Sequence, residues 1–238
     1  MRIPMFAGGT IPDFDTLSDD QERFHETKPK SYREKPMTVV GVKRNIGEHD
    51  SLRIGNLVRR GVQGLDNIDI DRVTVFSPHG ATILSPDEAR LAYERYHFTG
   101  IGIRSLKRYN HILKETIHLA NTERPLMFVQ LGEIAIFGAP EDQEGSRYVG
   151  AVLEGEELEQ LKAERQTFLH TVIPEDDSSL YHMLNDDYVH HLSLLKTTSE
   201  ATAQRAAESL QYTEIEGTWV TLMPAIPIKR DFTLNRTD

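Results

Sequence analysis

Residues 188–195 read Tyr-Val-His-His-Leu-Ser-Leu-Leu, and residues 95–103 read Arg-Tyr-His-Phe-Thr-Gly-Ile-Gly-Ile. Each stretch contains a histidine that is followed two positions later by a hydroxyl residue: His191 precedes Ser193, and His97 precedes Thr99. Side chains at positions i and i+2 of a β-strand leave the same face of the strand. We therefore expect each stretch to be a strand that presents an imidazole beside a hydroxyl. Two such pairs in one chain indicate a paired acid/base site.

Helical and strand-like patterns surround both stretches. The sequence Ser-Pro-Asp-Glu at 85–88 predicts the start of a helix, because a serine cap, an early proline and acids near the positive end of the dipole occur together there. This helix is expected to lead into the His97 strand. Apolar periodicity predicts further helices at 105–120, 156–169 and 199–210, and strands at 37–42, 72–76, 81–84, 125–137, 146–153 and 217–223.

An internal repeat follows from this order of elements. A strand, a helix and a strand begin at His97, and the same three elements begin again at His191. Such a βαβ duplication predicts two related halves, with the two histidine strands facing each other across a cleft. Residues 71–238 are assigned to this domain. Residues 1–70 are expected to form an N-terminal extension, which is irregular over 1–36.

Composition limits the function classes. The 238-residue chain can bury a sizeable core, and it has no cysteine for disulfides, thiolate metal sites or a cysteine nucleophile. The net charge of −10 argues against extensive binding of duplex nucleic acid through phosphate contacts. No apolar run approaches the length of a membrane span, and the first residues lack a signal-peptide core. We therefore expect a cytoplasmic protein without membrane partners.

The paired motifs, His-Phe-Thr-Gly and His-Leu-Ser-Leu, each with a strand-helix-strand context, resemble those of the two-histidine phosphoesterase superfamily, which includes the LigT-like RNA cyclic phosphodiesterases. The resemblance covers roughly residues 72–230. It implies a bilobal α+β fold with antiparallel sheets around a central cleft. It also implies metal-independent chemistry, without cofactor, on cyclic phosphate or 2′–5′-linked nucleotides or short RNA. Carried over by motif, the catalytic residues would be His97, Thr99, His191 and Ser193.

The chemistry of these side chains agrees with that implication. Hydrolysis of a cyclic phosphate needs a base for water and an acid for the departing ribose oxygen, and imidazole can serve as either near neutral pH. The two hydroxyls can hold the non-bridging oxygens. Aromatic residues near the motifs are candidates for base stacking and basic residues for phosphate contacts, although packing and solvated surface are commoner roles. The substrate-binding candidates are Tyr96, Phe98, Arg104, Tyr188 and Lys196.

Two other readings remain open at this point. A helix over 182–190 would bring His182, Asp186 and His190 onto one face, with His191 beside them, as in a metal-binding protein. A non-catalytic nucleotide-binding module would use the same cleft without turnover. His190 is expected to point away from His191, and a register shift of one residue would exchange the two histidines.

Overall fold

The described part of the chain comprises residues 37–63, 65, 73–75, 78, 80–99, 106–138, 147–174 and 177–232 of a computed structural model, without the side chains of 73–75 and 96–99. One compact unit spans Thr38–Arg230. The predicted irregular arm over 1–36 and the continuation of the first motif over 101–105 lie outside the described residues.

The described residues form seven strands and six helices. In chain order these are β1 Met37–Ile46, α1 Glu48–Gln63, β2 Val73–Val75, β3 Gly80–Leu84, α2 Pro86–Thr99, α3 Leu106–Glu123, β4 Met127–Phe137, β5 Arg147–Glu154, α4 Leu158–Val172, α5 Ser178–Asn185, β6 His191–Thr197, α6 Glu200–Gln211 and β7 Trp219–Phe232. Of the six helices described, none combines the length and apolar character needed to cross a membrane.

All seven strands belong to one sheet. Its order is β2-β6-β3-β1-β7-β4-β5, and an additional pairing of β5 with β6 closes six of the strands into a ring, with β2 paired to β6 outside it. The pairs β1–β3, β2–β6, β3–β6, β4–β5, β4–β7 and β5–β6 are antiparallel. The predicted α+β class with antiparallel pairing is confirmed, and the strands of both expected halves are joined within this single sheet.

Strand β1 lies inside the sheet, between β3 and β7. Its Val39 and Val42 are fully buried. Gly41 allows the end of β3 to approach β1 closely, because a Cβ at this position would collide with the Leu84 carbonyl oxygen. The compact unit Thr38–Arg230 includes α1 and nearly all of β1, whose apolar face is part of the core.

Helix α2 includes the first motif, so the prediction of a strand at His97–Thr99 is wrong. The helix begins with a reciprocal cap, in which the Glu88 backbone N–H donates to Ser85 Oγ (3.1 Å) and the Ser85 N–H donates to Glu88 Oε2 (2.7 Å). The helix continues through Thr99 because no glycine or proline interrupts it after the first turn. Positions i and i+2 are about 200° apart around an α-helix, so His97 and Thr99 do not share a face by their spacing.

The observed counterpart of β6 is β3. Strand β6 is followed by α6 and β7, and β3 is followed by α2, α3 and β4. The two strands are paired, with Ala81 opposite Leu192. The strand-helix-strand unit predicted after His191 is confirmed, and Ser199 caps α6 as expected by accepting a hydrogen bond from the Thr202 backbone N–H (3.3 Å). The first unit begins at β3 instead of at His97.

Two buried arginines attach α4 to the sheet. Arg44 of β1 forms an ion pair with Glu164 of α4 (Nε to Oε2, 2.8 Å), and both side chains are almost inaccessible to solvent. Arg165 forms an ion pair with Glu88 of α2 (2.6 Å) and donates to the carbonyl oxygen of Ile83 in β3. These contacts fix α4 against β1 and β3.

Candidate active site

The second motif forms strand β6, as predicted. His191, Ser193 and Lys196 are partly exposed, whereas the other residues of the strand are buried. The shared strand face expected for His191 and Ser193 is confirmed by the cross-strand pairs, since their partners on β5 are Val152 and Gly150, which are also two residues apart. The imidazole and the hydroxyl thus leave the sheet on the same side.

A β-bulge brings the lysine to this side as well. Val149 of β5 pairs with Leu195, but the next residue of β5 pairs with Ser193, so Leu194 is an extra residue on β6. Strict alternation would send Lys196 to the side opposite Ser193. The extra residue resets the alternation, as bulges next to functional sites often do. The resulting site face of β6 carries an imidazole, a hydroxyl and an ammonium group.

An aromatic ring from β4 packs on the imidazole. The rings of Phe137 and His191 are stacked, with centroids 3.9 Å apart and an angle of 13° between the planes. They meet over Gly150. A Cβ at this glycine would lie 3.1 Å from Phe137 Cε2 and 3.2 Å from His191 Cδ2. A glycine is therefore required for the two rings to stack without displacement.

A second aromatic side chain faces the lysine. Tyr148 and Lys196 are cross-strand partners, and the Lys196 Nζ atom lies 5.4 Å from the centroid of the Tyr148 ring. A cation near the face of an aromatic ring is attracted by the ring electrons. This contact holds the Lys196 ammonium group near the Tyr148 ring, beside strands β5 and β6.

The hydrogen bond of His191 defines its tautomer. Its Nδ1 lies 2.9 Å from the carbonyl oxygen of Val189, which can only accept, so Nδ1 carries the proton. Burial lowers the pKa of His191, and the bond to the Val189 carbonyl opposes this effect. The ring is therefore neutral near pH 7, with the lone pair on Nε2. This is the state of an imidazole that accepts a proton.

His190 points to the other side of the sheet, as predicted. Only 4% of its surface is exposed, and its ring contacts the Tyr188 ring edge-on with centroids 4.9 Å apart. Burial, together with the positive charges of Arg165 and Lys162, lowers the pKa of His190 to about 3. The register of β6 assigns the exposed face to His191, so the alternative in which the two histidines exchange places does not occur.

Tyr188 belongs to the side of His190. Its hydroxyl donates to the carbonyl oxygen of Thr82 (2.6 Å), and the Arg165 guanidinium lies 3.4 Å from the centroid of its ring. Burial raises the pKa of Tyr188, so the hydroxyl stays protonated. Of the predicted binding residues, Lys196 lies with His191 and Ser193, and Tyr188 does not.

The remaining predicted residues belong to the first motif. Tyr96, His97, Phe98 and Thr99 lie in the last turns of α2, and their side chains are outside the described residues, as is Arg104. The catalytic and binding roles of these residues stay predictions.

The four residues of the metal-binding alternative do not form one cluster. His182 and Asp186 form an exposed pair (3.0 Å) at the end of α5, while His190 and His191 point to opposite sides of the sheet. Among the described residues, no group of three His, Asp or Glu side chains has the arrangement of a metal site.

Sequence reasoning did not identify Phe137, Gly150 or the bulge at Leu194 as parts of the site. Phe137 ends a strand-like run far from the motif, and its contact with His191 depends on the register between β4, β5 and β6. One signal was present. Gly150 interrupts an otherwise strand-like run, which indicates a bulge or a close approach.

Among known proteins, matches to this chain were found only among solved structures. No protein-family model and no curated protein match the chain. Kluyveromyces marxianus Usb1 with uridine monophosphate matches with a TM-score of 0.40 and 10% sequence identity, over 79% of this chain and 98% of that chain. A second structure of Kluyveromyces marxianus Usb1 matches with a TM-score of 0.41 and 10% identity, over 81% of this chain and 96% of that chain.

Proposed function

We propose that this protein is a metal-independent phosphodiesterase that acts on cyclic phosphate or 2′–5′-linked nucleotides or short oligonucleotides, with His191 as general base. The observation that supports this most strongly is the neutral His191 ring, whose Nδ1–H is bound by the Val189 carbonyl while Nε2 is left to accept a proton. Ser193 leaves the same strand face, where it can meet the same phosphate.

In the proposed reaction, His191 Nε2 removes a proton from the attacking water. The oxygen of that water bonds to phosphorus as the ester bond to the ribose oxygen breaks. The Phe137 ring and the Val189 carbonyl hold the imidazole from two directions, so the base has a fixed orientation before substrate binds. Preorganisation of this kind lowers the cost of reaching the transition state.

Ser193 and Lys196 are proposed to bind the non-bridging phosphate oxygens. The hydroxyl of Ser193 donates one hydrogen bond, and the ammonium group of Lys196 supplies a positive charge on the same side of β6. Negative charge accumulates on these oxygens during the displacement, so donors placed there stabilise the transition state more than the ground state.

The second proton transfer is proposed for His97, which would protonate the departing ribose oxygen. Thr99 is proposed as a further phosphate ligand, and Tyr96, Phe98 and Arg104 as binding residues. This part of the proposal rests on the motif in the sequence. Because the segment is helical, His97 and Thr99 are not expected to act as a same-face pair, and replacement of each is expected to have a separate effect.

A substrate screen with matched variants tests the proposal. Turnover of 2′,3′-cyclic and 2′–5′-linked nucleotides is measured in the presence of a chelator for the unmodified chain and for His191→Ala, Ser193→Ala and His97→Ala. The control is His111→Ala, which removes an exposed histidine of α3 that faces Glu115. General acid/base groups contribute about 10²- to 10⁴-fold, so His191→Ala should lose at least about 100-fold in kcat.

The control should retain full activity, and a chelator should not reduce the rate of the unmodified chain. Turnover that survives in His191→Ala would remove the basis of the proposal. Binding of a nucleotide without measurable turnover by the unmodified chain would favour the non-catalytic binding module instead.

A further inference from the structure

On the side of the sheet opposite His191, a cavity of about 380 Å³ lies between α4, the end of α5 and the segment that leads into β6. Arg165, Tyr188 and His190 line it together with more exposed residues, among them Lys162, Asn185 and Asp186. The volume is within the range of small-molecule sites. None of these residues has a part in the reaction proposed above.

Two lining residues are almost completely buried and carry polar atoms without partners among the described residues. Arg165 is 1% exposed and His190 is 4% exposed. The Nε atom of Arg165 and the Nδ1 atom of His190 have no hydrogen-bond partner within the described part of the chain. A buried polar atom without a partner is costly, and most such atoms in folded proteins bind a ligand, water or another protein group.

The packing holds both residues in place. The terminal nitrogens of Arg165 already donate to the Ile83 and Leu184 carbonyls and to Glu88, and the guanidinium stacks on Tyr188. His190 contacts the edge of the same tyrosine ring. Nη1 and Nη2 each donate to at least one of these acceptors, so the guanidinium is held in a fixed position, and Nε is its one nitrogen without a partner among the described residues.

The positive charges of Arg165 and Lys162 at the cavity favour a negatively charged ligand. Arginine stays protonated, so its Nε–H is always a donor, and Lys162 adds a second positive charge. Two carboxylates nearby are paired with cations: Glu88 with Arg165 (2.6 Å) and Glu159 with Lys162 (2.7 Å). The third, Asp186, contacts the exposed His182 imidazole (3.0 Å). The lowered pKa of His190 agrees with this field, because both cations disfavour its protonation.

We propose that this cavity is a second binding site, separate from the His191 face, for a small molecule that carries a phosphate or carboxylate group. The positive charge of the Arg165 guanidinium attracts the anion, which lies against the His190 ring. Lys162 neutralises the remaining charge. His190 and His191, adjacent in the chain, thus serve two sites on opposite sides of the sheet.

The test uses the full chain with His191→Ala, so that the outcome does not depend on the proposed active site. Ring signals of His190, assigned by comparison with the same chain carrying His190→Gln, are followed by NMR during titration with inorganic phosphate. A second titration uses acetate, and a third uses chloride at matched ionic strength. The His190 ring signals should shift and saturate with phosphate or with acetate, and the more effective of the two defines the class of anion.

A charge variant provides the decisive comparison. Asn185→Asp adds a negative charge at the cavity and should weaken binding about fivefold or more, as expected for like charges at close range. The control is Lys114→Gln on an exposed position of α3, which should leave the affinity within about twofold because the change lies outside the cavity. Signals of His190 that respond no more to phosphate or acetate than to chloride, or equal affinity in the Asn185→Asp variant, would overturn the proposal.

Discussion

Substitution of Gly150 by alanine should displace the His191 ring, the proposed general base, without changing its chemical groups. The added Cβ would lie 3.0 Å from the Leu192 carbonyl oxygen, 3.1 Å from Phe137 Cε2 and 3.2 Å from His191 Cδ2. Ordinary van der Waals contact begins near 3.4 Å, so each neighbour must move by a few tenths of an ångström. The carbonyl belongs to the paired backbone of β6, and the stacked rings are therefore the groups expected to shift.

The change in the free energy of unfolding of Gly150→Ala follows from two opposing effects. Overpacking of a well-filled site costs about 1–3 kcal/mol. The loss of glycine flexibility in the unfolded chain stabilises by about 0.4–1 kcal/mol. We expect Gly150→Ala to lower the free energy of unfolding by about 1–2 kcal/mol, and to lower kcat by about tenfold or more because the imidazole is displaced.

Urea unfolding and steady-state kinetics measure both effects in one protein preparation. Gly55→Ala is the matched control, since its Cβ would lie 3.8 Å from the nearest atom and alanine favours the helix in which Gly55 lies. This control should be as stable as the unmodified chain or more stable, with unchanged kcat. If Gly150→Ala proves fully active and fully stable, the reasoning that Gly150 makes room for the stacked rings is refuted.

Three further substitutions test the fold around the site. Ser85→Ala removes the cap of α2 and should lower the free energy of unfolding by about 1 kcal/mol in urea unfolding. Glu164→Gln leaves the charge of buried Arg44 uncompensated and should cost about 3–5 kcal/mol, measured in the same way. Because burial lowers the pKa of His190 from 6.5 to about 3, unfolding protonates this ring below pH 6.5, and His190 alone should contribute a loss of about 1.4 kcal/mol of stability for each pH unit below that value. In His190→Gln this contribution should be absent, so the stability difference between the two proteins should change between about pH 7 and about pH 5.

Each of these three expectations would be contradicted by a specific result. A Ser85→Ala chain as stable as its parent would show that the reciprocal cap is not needed for α2. A loss below about 1 kcal/mol for Glu164→Gln would mean that water reaches Arg44 once the carboxylate is gone. A stability difference independent of pH for His190→Gln would show that His190 is protonated equally in the folded and unfolded chains.

The second motif was predictable because its local pattern and its tertiary context agree. Alternation from His191 to Ser193 predicts a strand, and antiparallel pairing with β5 places both side chains on the exposed face. The sequence does not reveal the bulge at Leu194, since it depends on how β5 and β6 align. Lys196 could be named as a candidate, but its position beside Ser193 comes from that bulge.

The first motif shows the limit of a spacing argument. The His97–Thr99 pattern suits a strand, yet the segment follows a helix that is capped by Ser85 and Glu88 and contains nothing to stop it before Gly100. The Ser85–Glu88 pattern predicts where α2 begins, but the sequence pattern does not predict that the helix extends to Thr99. The position of β1 in the sheet is hard to predict for a related reason. The short run at β1 is recognisable as a strand, but its place between β3 and β7 depends on contacts distant in sequence.

The most direct test of the central claim compares two titrations of the unmodified chain. One is the pH dependence of kcat/KM for the best substrate of the screen, and the other is the NMR titration of the His191 ring. Since burial lowers the pKa of His191, a neutral base predicts that kcat/KM falls on the acid side with an apparent pKa below 6.5, and that this value coincides with the NMR value. A ring that titrates at or above 6.5, or an acid limb unrelated to its titration, would contradict the assignment of His191 as the base.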